Sequence, residues 1–225
     1  MGSEALDDTR FVGYRRKLIE DIRARGVDDL ETLQLFDMIP RHLFLPEGVW
    51  PRAYEDAPVP IGFGQTASQP SLQAYYLSLL KPRSDEKVLE IGTGSGYMTA
   101  LLSLMADRVY SVERVRELSQ RARKALDTMA VRNVALLVGD GTIGWRKYQP
   151  FDVIVVSAAS PSIPAALAEQ LGDGGRMLIP VGSKETQELV LVQKVGFVVT
   201  QEVVKGECTF VPLLGRFAWK SEAGG

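Results

Sequence analysis

The stretch that decides the fold of this chain is Val88-Leu89-Glu90-Ile91-Gly92-Thr93-Gly94-Ser95-Gly96. Its first four residues are mostly apolar, which is typical of a short buried strand. The three alternating glycines then allow a tight turn whose backbone can approach a ligand closely. The following residues predict a helix from about Tyr97 to Ala106. A strand, a glycine turn and a helix in this order indicate the ligand-binding end of an open α/β sheet.

The same alternation of strand and helix continues towards the C-terminus. We predict strands at residues 109–112, 134–138, 151–156 and 177–181, and helices at residues 116–129 and 164–171. Residues 189–192 and 197–204 lie on either side of Gly196, a pattern that indicates an antiparallel hairpin. The chain therefore predicts an α/β fold with a doubly wound, mostly parallel, Rossmann-like sheet and an antiparallel edge hairpin.

The N-terminal part of the chain has a different pattern. Residues 9–38 predict two helices separated at Gly26. Five prolines then exclude long regular structure, and a loop continues to Pro70. Since no flexible linker follows, we expect one compact unit, in which N-terminal helices and an active-site loop (residues 1–82) pack on a ligand-binding core (residues 83–225).

The composition excludes several classes of protein. The net charge of −2 gives no positive field for a nucleic-acid partner, and no run of about 18 apolar residues predicts a membrane span. One cysteine, Cys208, allows no disulfide within the chain, and with one histidine, His42, a zinc site is not expected. We expect a cytoplasmic protein without a metal. The sequence leaves its oligomeric state open.

Two acidic residues help to identify the ligand of the glycine turn. The spacing G-x-G-x-G differs from the G-x-G-x-x-G of NAD-binding turns. Glu113 ends the second strand and could accept hydrogen bonds from the ribose hydroxyls of either NAD or S-adenosylmethionine. Glu90 would suit the cationic amino and sulfonium groups of S-adenosylmethionine and would repel a pyrophosphate, although a salt bridge to the N-terminal segment is the alternative. We therefore predict S-adenosylmethionine as the cofactor and S-adenosylhomocysteine as its product.

A third acidic residue follows the third strand, in Gly139-Asp140-Gly141. Asp140 could accept a hydrogen bond from the adenine amino group, and an ordinary Asp-Gly turn is the alternative. The predicted cofactor contacts in the core are Glu90, Gly92, Thr93, Gly94, Gly96, Glu113, Asp140 and Gly141. As a set, these residues resemble the motifs of class I S-adenosylmethionine-dependent methyltransferases, a resemblance that carries no information on the substrate.

A second resemblance is more specific. It rests on five blocks: Ile39-Pro40-Arg41-His42-Leu43-Phe44-Leu45-Pro46, residues 58–70 (PVPIGFGQTASQP), Ser157-Ala158-Ala159-Ser160-Pro161, residues 174–182 and Phe210-Val211-Pro212-Leu213. In this order, and from about residue 35 to 215, the chain resembles the protein-L-isoaspartate O-methyltransferases. The resemblance implies methyl transfer to the α-carboxylate of isoaspartyl residues in damaged peptides and proteins, followed by spontaneous closure to a succinimide.

The resemblance also implies roles for individual residues. The serine of the family's T-x-S segment is Ser68 here, which makes it the predicted catalytic residue. The predicted cofactor contacts in the same loop are Gln65 and Thr66, and the predicted substrate contacts are Ala158, Ala159, Pro161, Val211 and Pro212. The family often continues with alanine-proline-histidine after the serine, whereas this chain has Gln69-Pro70-Ser71.

The chemistry agrees with the residues available. An α-carboxyl group has a pKa of about 3.3–3.7, so it is ionised at neutral pH and needs no general base. Ser68 could donate a hydrogen bond that orients it, or could instead cap the helix that begins near Pro70. His42 has no evident partner and is expected to be structural. Three alternatives stay open: a methyltransferase of RNA or a small molecule, a cofactor-binding protein without catalysis, and, more remotely, a nicotinamide oxidoreductase.

Overall fold

A computed structural model describes residues 9–220, so residues 1–8 and 221–225 of the two predicted segments lie outside it. The helices of the described part are α1 (Val12–Ala24), α2 (Leu30–Met38), α3 (Pro70–Leu80), α4 (Tyr97–Met105), α5 (Arg116–Thr128) and α6 (Ala165–Ala168). Its strands are β1 (Val59–Gly62), β2 (Gln65–Ala67), β3 (Lys87–Ile91), β4 (Arg108–Glu113), β5 (Val134–Val138), β6 (Phe151–Val156), β7 (Leu171–Gly182), β8 (Gln187–Val195) and β9 (Val198–Cys208). Within the described part, no helix is long and apolar enough to cross a membrane.

The seven strands from β3 onwards form one sheet in the order β5-β4-β3-β6-β7-β8-β9. Strands β3 to β7 run parallel, whereas β8 and β9 are antiparallel additions at one edge. The predicted Rossmann-like sheet with its edge hairpin is therefore confirmed. The strand order reverses between β3 and β6, and a ligand of such a sheet binds at that switch point, beyond the carboxyl ends of the strands.

Two predictions about local structure were wrong. The helix predicted at residues 164–171 covers only Ala165–Ala168, and β7 begins at Leu171. The glycines that follow cause this difference, because β7 pairs with β6 through an irregular register at Gly172–Gly175, where a side chain at Gly175 would contact the Gly172 carbonyl. The loop predicted to continue to Pro70 contains the β1–β2 hairpin, which turns at residues 63 and 64 with positive φ at both.

The sheet has a hydrophobic core on each face. Successive residues of β3 alternate between the two cores, so that Val88 belongs to one and Leu89 to the other. The core around Val88 also contains Leu18 of α1, Phe36 of α2 and Leu77 of α3, all fully buried. The N-terminal helices therefore share one hydrophobic core with the sheet.

A buried ion pair joins the end of α3 to β7. Arg176 contacts both carboxylate oxygens of Glu86 at 2.9 Å and also donates to the carbonyls of Leu80 and Lys81. Burial alone would raise the pKa of Glu86, but the hydrogen bonds from Arg176 and from the Arg83 backbone outweigh burial and lower it. Arg176 thus fixes the segment that leads from the N-terminal helices into β3.

Candidate active site

A cleft opens at the carboxyl ends of β3, β4 and β6. It lies at the switch point of the sheet, below the β1–β2 hairpin. Its lining residues are Gln65, Thr66, Ala67, Ser68, Gln73, Ile91, Gly92, Thr93, Gly94, Ser95, Met98, Val112, Glu113, Arg114, Val115, Gly141, Ser157, Ala158, Val211, Pro212, Leu213 and Leu214. Residues from the N-terminal segment, the sheet and the C-terminal segment therefore meet in one site.

The glycine turn forms one wall of this cleft. Gly92 and Gly94 line it with positive φ angles of 93° and 53°, which only glycine adopts easily. Gly96, with φ of 85°, does not line the cleft. A Cβ atom there would lie 2.9 Å from the Cβ of Ala122, so Gly96 allows α4 and α5 to pack closely. The first two glycines thus face the cleft, whereas the third supports the fold.

Glu113 places a carboxylate at the edge of the cleft, where β4 ends. Its two oxygens accept hydrogen bonds from the N–H groups of Gly94 (2.9 Å) and Val115 (2.8 Å). These bonds fix the carboxylate beside the glycine turn. Because each carboxylate oxygen can accept more than one hydrogen bond, Glu113 can still accept bonds from ligand hydroxyls.

Glu90 lies behind the cleft and does not line it. It is fully buried, and its Oε2 accepts hydrogen bonds from the hydroxyls of Thr99 (2.5 Å) and Ser111 (2.6 Å). Its Oε1 has no partner within residues 9–220. Burial raises the pKa of Glu90 to about 7. The Ser111 hydroxyl also lies 2.5 Å from that of Thr93, so a chain of hydroxyls connects Glu90 to the glycine turn.

Asp140 is also occupied by protein groups. Its Oδ1 accepts hydrogen bonds from the N–H and hydroxyl of Thr142, and its Oδ2 accepts one from the N–H of Arg216. The neighbouring Gly141 lines the cleft, and a Cβ atom there would lie 2.5 Å from Ile91 Cγ2. Asp140 therefore holds the C-terminal segment beside the cleft, and the absence of a side chain at Gly141 lets it pack closely against Ile91.

Ser68 lies where the cleft meets a second groove. The groove is lined by Arg25, Pro58, Thr66, Ser68, Gln69, Ser71, Leu72, Tyr75, Ser157, Lys205, Glu207, Cys208, Thr209, Phe210 and Val211. Ser68 does not cap α3, since the N-cap residue of that helix is Gln69. Ser68 and Thr66 therefore lie at the junction of the cleft and the groove, whereas Gln65 lines the cleft alone.

The predicted substrate contacts divide into two groups. Ala158, Val211 and Pro212 line the cleft, whereas Ala159 and Pro161 do not. Ala159 instead holds the C-terminal segment, because its N–H donates to the Val211 carbonyl (2.8 Å) and its carbonyl accepts from the Leu213 N–H (2.7 Å). The backbone of Ala159 thus positions the residues that face the cleft.

Sequence reasoning missed several lining residues, of which Gln73 and Met98 are the most informative. Both lie on helices, α3 and α4, whose apolar patterns indicate a packed core. Gln73 is 8% exposed and its Oε1 is buried without a partner within residues 9–220. A glutamine among the apolar residues in the first turns of α3 was the available signal. His42 is buried against Phe11 and Tyr54 and lies outside the cleft lining.

The site suits an organic cofactor with hydroxyl groups. The glycine turn leaves space that side chains would fill, and Glu113 offers a fixed acceptor at its edge. Within residues 9–220 there is no cluster of three or more histidine, cysteine, aspartate or glutamate side chains that could hold a metal ion.

Comparison with known proteins identifies the family. The family model described as Protein-L-isoaspartate(D-aspartate) O-methyltransferase (PCMT) matches residues 14–218. The chain belongs to this family. A protein-L-isoaspartate O-methyltransferase of Methanoculleus marisnigri is 49% identical, over 92% of this chain and 94% of the relative. One from Geobacter metallireducens is 46% identical, over 92% of this chain and 97% of the relative.

Solved structures share the fold of this chain. A structure named protein-L-isoaspartate O-methyltransferase superposes with a TM-score of 0.81 at 30% identity, over 91% of this chain and 67% of the other. A Plasmodium falciparum structure, described as a putative member of the family in complex with S-adenosyl-L-homocysteine, has a TM-score of 0.79 at 23% identity, over 89% and 98% of the two chains. The family resemblance seen in the sequence is therefore confirmed.

Proposed function

We propose that this protein transfers the methyl group of S-adenosylmethionine to the α-carboxylate of L-isoaspartyl residues in damaged peptides and proteins. The backbone nitrogen of the following residue then attacks the ester carbonyl and expels methanol, which gives a succinimide. Water can reopen this ring to normal aspartate. Membership of the family supports this reaction. The observation that carries it within the structure is the position of Ser68, which borders both the glycine-walled cleft and the open groove.

The cleft would hold the cofactor. S-adenosylmethionine supplies, when bound, a methyl group on a positively charged sulfur. The backbone of Gly92 and Gly94 would allow its close approach, and Glu113 would accept hydrogen bonds from its ribose hydroxyls. Gly141, which lines the cleft, would lie beside the adenine ring. Glu90 would act through the hydroxyls that join it to the glycine turn, not by direct contact.

The groove would hold the peptide. Its walls come from the C-terminal segment on one side and from α3 on the other, with Leu72, Tyr75 and Phe210 as apolar contacts. A peptide bound in an extended conformation presents mainly its backbone to such walls, so many side chains would be tolerated. We further expect the enzyme to act in the cytoplasm, as its single cysteine suggests.

The protein would contribute orientation, not proton transfer. The substrate carboxylate is ionised at neutral pH because its pKa is about 3.3–3.7, so it already is the nucleophile. Ser68 would donate a hydrogen bond to one carboxylate oxygen and leave the other facing the methyl group. Holding two reactants in line can contribute about 7–11 kcal/mol to lowering the barrier, which makes a general base unnecessary.

A pair of peptides tests the proposal. The two peptides have one sequence, with L-isoaspartate in one and L-aspartate in the other, and transfer of labelled methyl from S-adenosylmethionine is measured for both. We expect methyl transfer to the isoaspartyl peptide only. Equal rates on both peptides, or binding of the cofactor without any transfer, would contradict the proposal.

A further inference from the structure

Arg41 is a buried cation close to the proposed catalytic serine. Its side chain is fully buried, in the short helix Arg41–Phe44. Its guanidinium bonds to main-chain carbonyls, and the carboxylate that interacts with it electrostatically is Asp56. Because burying a charge is costly, we ask whether Arg41 positions the residues that it contacts.

The guanidinium of Arg41 joins two segments of main chain. Its Nη1 donates to the carbonyls of Ala53 (2.8 Å) and Glu55 (3.3 Å), and its Nη2 donates to the carbonyl of Ser68 (3.0 Å). The rigid, planar fork of arginine can make these contacts together, whereas the single ammonium of lysine cannot. The backbone of Ser68 is therefore held by a side chain that lies outside the cleft lining.

Arg41 also contacts the helix that follows the glycine turn. Its Cζ lies 5.7 Å from the centre of the Tyr97 ring, and Tyr97 is the first residue of α4, directly after Gly96. Burial lowers the pKa of Arg41 to about 10, so the side chain remains charged at neutral pH. Arg41 thus lies between the segment that carries Ser68 and the start of the helix that borders the glycine turn.

Asp56 fixes the other end of the same segment. Its Oδ1 accepts a hydrogen bond from the Ser71 N–H (2.8 Å), and its Oδ2 accepts one from Gln69 Nε2 (2.9 Å). The two residues that differ from the family's usual sequence therefore still bind the turn at residues 53–56. The segment from Ser68 to Ser71 is held at both ends.

We propose that Arg41 is a positioning residue, which fixes the distance and orientation between the Ser68 hydroxyl and the glycine turn. The inference rests on the proposed function, since it concerns the alignment of carboxylate and methyl group. Arg41 acts through the main chain of Ser68 and does not touch the substrate. A misplacement of reacting groups by about 1 Å can lower a rate by about 100-fold. We therefore expect a substitution at Arg41 to lower the rate of methyl transfer.

The test uses Arg41→Lys, which keeps the charge but removes the fork. We expect kcat for the isoaspartyl peptide to fall about 10- to 100-fold. The Kd of S-adenosylmethionine, measured by calorimetry, will stay within about threefold of the wild-type value, because the cofactor contacts do not include Arg41. If Arg41 had only a structural role, the substitution would lower the stability of the protein and would change kcat and the Kd of S-adenosylmethionine together.

Arg15→Lys is the matched control. Arg15 is also largely buried, at 12% side-chain exposure, and donates to a main-chain carbonyl, that of Asp37 at the end of α2. It borders neither the cleft nor the groove. We expect Arg15→Lys to lower the Tm while its kcat stays within about twofold of the wild type.

Each outcome decides the inference. A kcat of Arg41→Lys within about twofold of the wild type would overturn it, as would an equal loss of kcat in Arg15→Lys at the same change in Tm. If Arg41→Lys does not fold, Arg41→Gln replaces it, since it also removes the guanidinium that binds the Ser68 carbonyl. We expect the same fall in kcat of about 10- to 100-fold, and an unchanged kcat would again overturn the inference. A wild-type enzyme without activity on the isoaspartyl peptide would overturn the proposed function as well.

Discussion

Replacing Glu90 by glutamine will stabilise this protein at pH 8 and will leave its stability nearly unchanged at pH 4. Glutamine has the shape of the protonated acid and no charge. Glu90 is fully buried, its Oε2 accepts two hydroxyl hydrogen bonds, and its Oε1 lacks a partner within residues 9–220. The protonated carboxyl therefore suits this environment better than the carboxylate does.

The size of the effect comes from the pKa. Burial raises the pKa of Glu90 from its ordinary 4.5 to about 7. Between these two values the folded protein keeps a proton that the unfolded chain releases, so the contribution of Glu90 to stability is fully present below pH 4.5 and is lost as the pH rises through 7. At about 1.4 kcal/mol for each pH unit, the loss at pH 8 is about 3 kcal/mol.

Urea unfolding at pH 4, 5, 6, 7 and 8 measures the free energy of unfolding of both proteins. We expect Glu90→Gln to equal the wild type at pH 4 and to exceed it by about 3 kcal/mol at pH 8. Glu20→Gln is the control, since Glu20 is exposed on α1, and it will change stability by less than about 0.5 kcal/mol throughout. A difference between Glu90→Gln and the wild type that is the same at every pH would refute the reasoning.

Three further predictions concern the cofactor site and the fold. Glu113→Gln will raise the Kd of S-adenosylmethionine, measured by calorimetry, about 10- to 100-fold, because hydrogen bonds to a charged acceptor contribute about 1.5–3 kcal/mol. An unchanged Kd would show that Glu113 does not bind the cofactor. Gly96→Ala will lower the free energy of unfolding in urea by about 2 kcal/mol, because the φ angle of Gly96 is positive and the new methyl group would meet Ala122. An unchanged midpoint of unfolding would contradict that packing. Arg176→Leu will cost about 3 kcal/mol, because Glu86 then keeps only the exposed Arg83 guanidinium as a charged partner. Most of this loss will disappear in the double mutant Glu86→Leu/Arg176→Leu if the cause is the poorly compensated buried charge.

The parallel sheet could be predicted from the sequence because its strands are buried on both faces. Phe151–Val156 is apolar at five of its six positions and is β6 in the structure. The glycine turn could be placed for a related reason, since few residues other than glycine adopt the backbone found at Gly92 and Gly94. Local backbone conformation could thus be predicted, because it depends on the residues of each short segment.

The contacts between distant segments could not be read in the same way. The partners of Glu90 come from α4 and β4, and the N–H that binds Asp140 Oδ2 belongs to Arg216, 76 residues along the chain. The motif that contains Arg41 could be recognised as family-like, but its contact with the Ser68 carbonyl depends on how the N-terminal segment packs. Tertiary packing, not local pattern, determines which acidic groups reach a ligand.

The most direct test of the central claim is the methylation rate of Ser68→Ala on the isoaspartyl peptide, measured with saturating S-adenosylmethionine. The account predicts that kcat/KM for the peptide falls at least 10-fold, the effect of losing about 1.4 kcal/mol of orientation by one hydrogen bond, while the Kd of the cofactor stays unchanged. A variant as fast as the wild type would show that Ser68 does not hold the carboxylate, and would contradict the account.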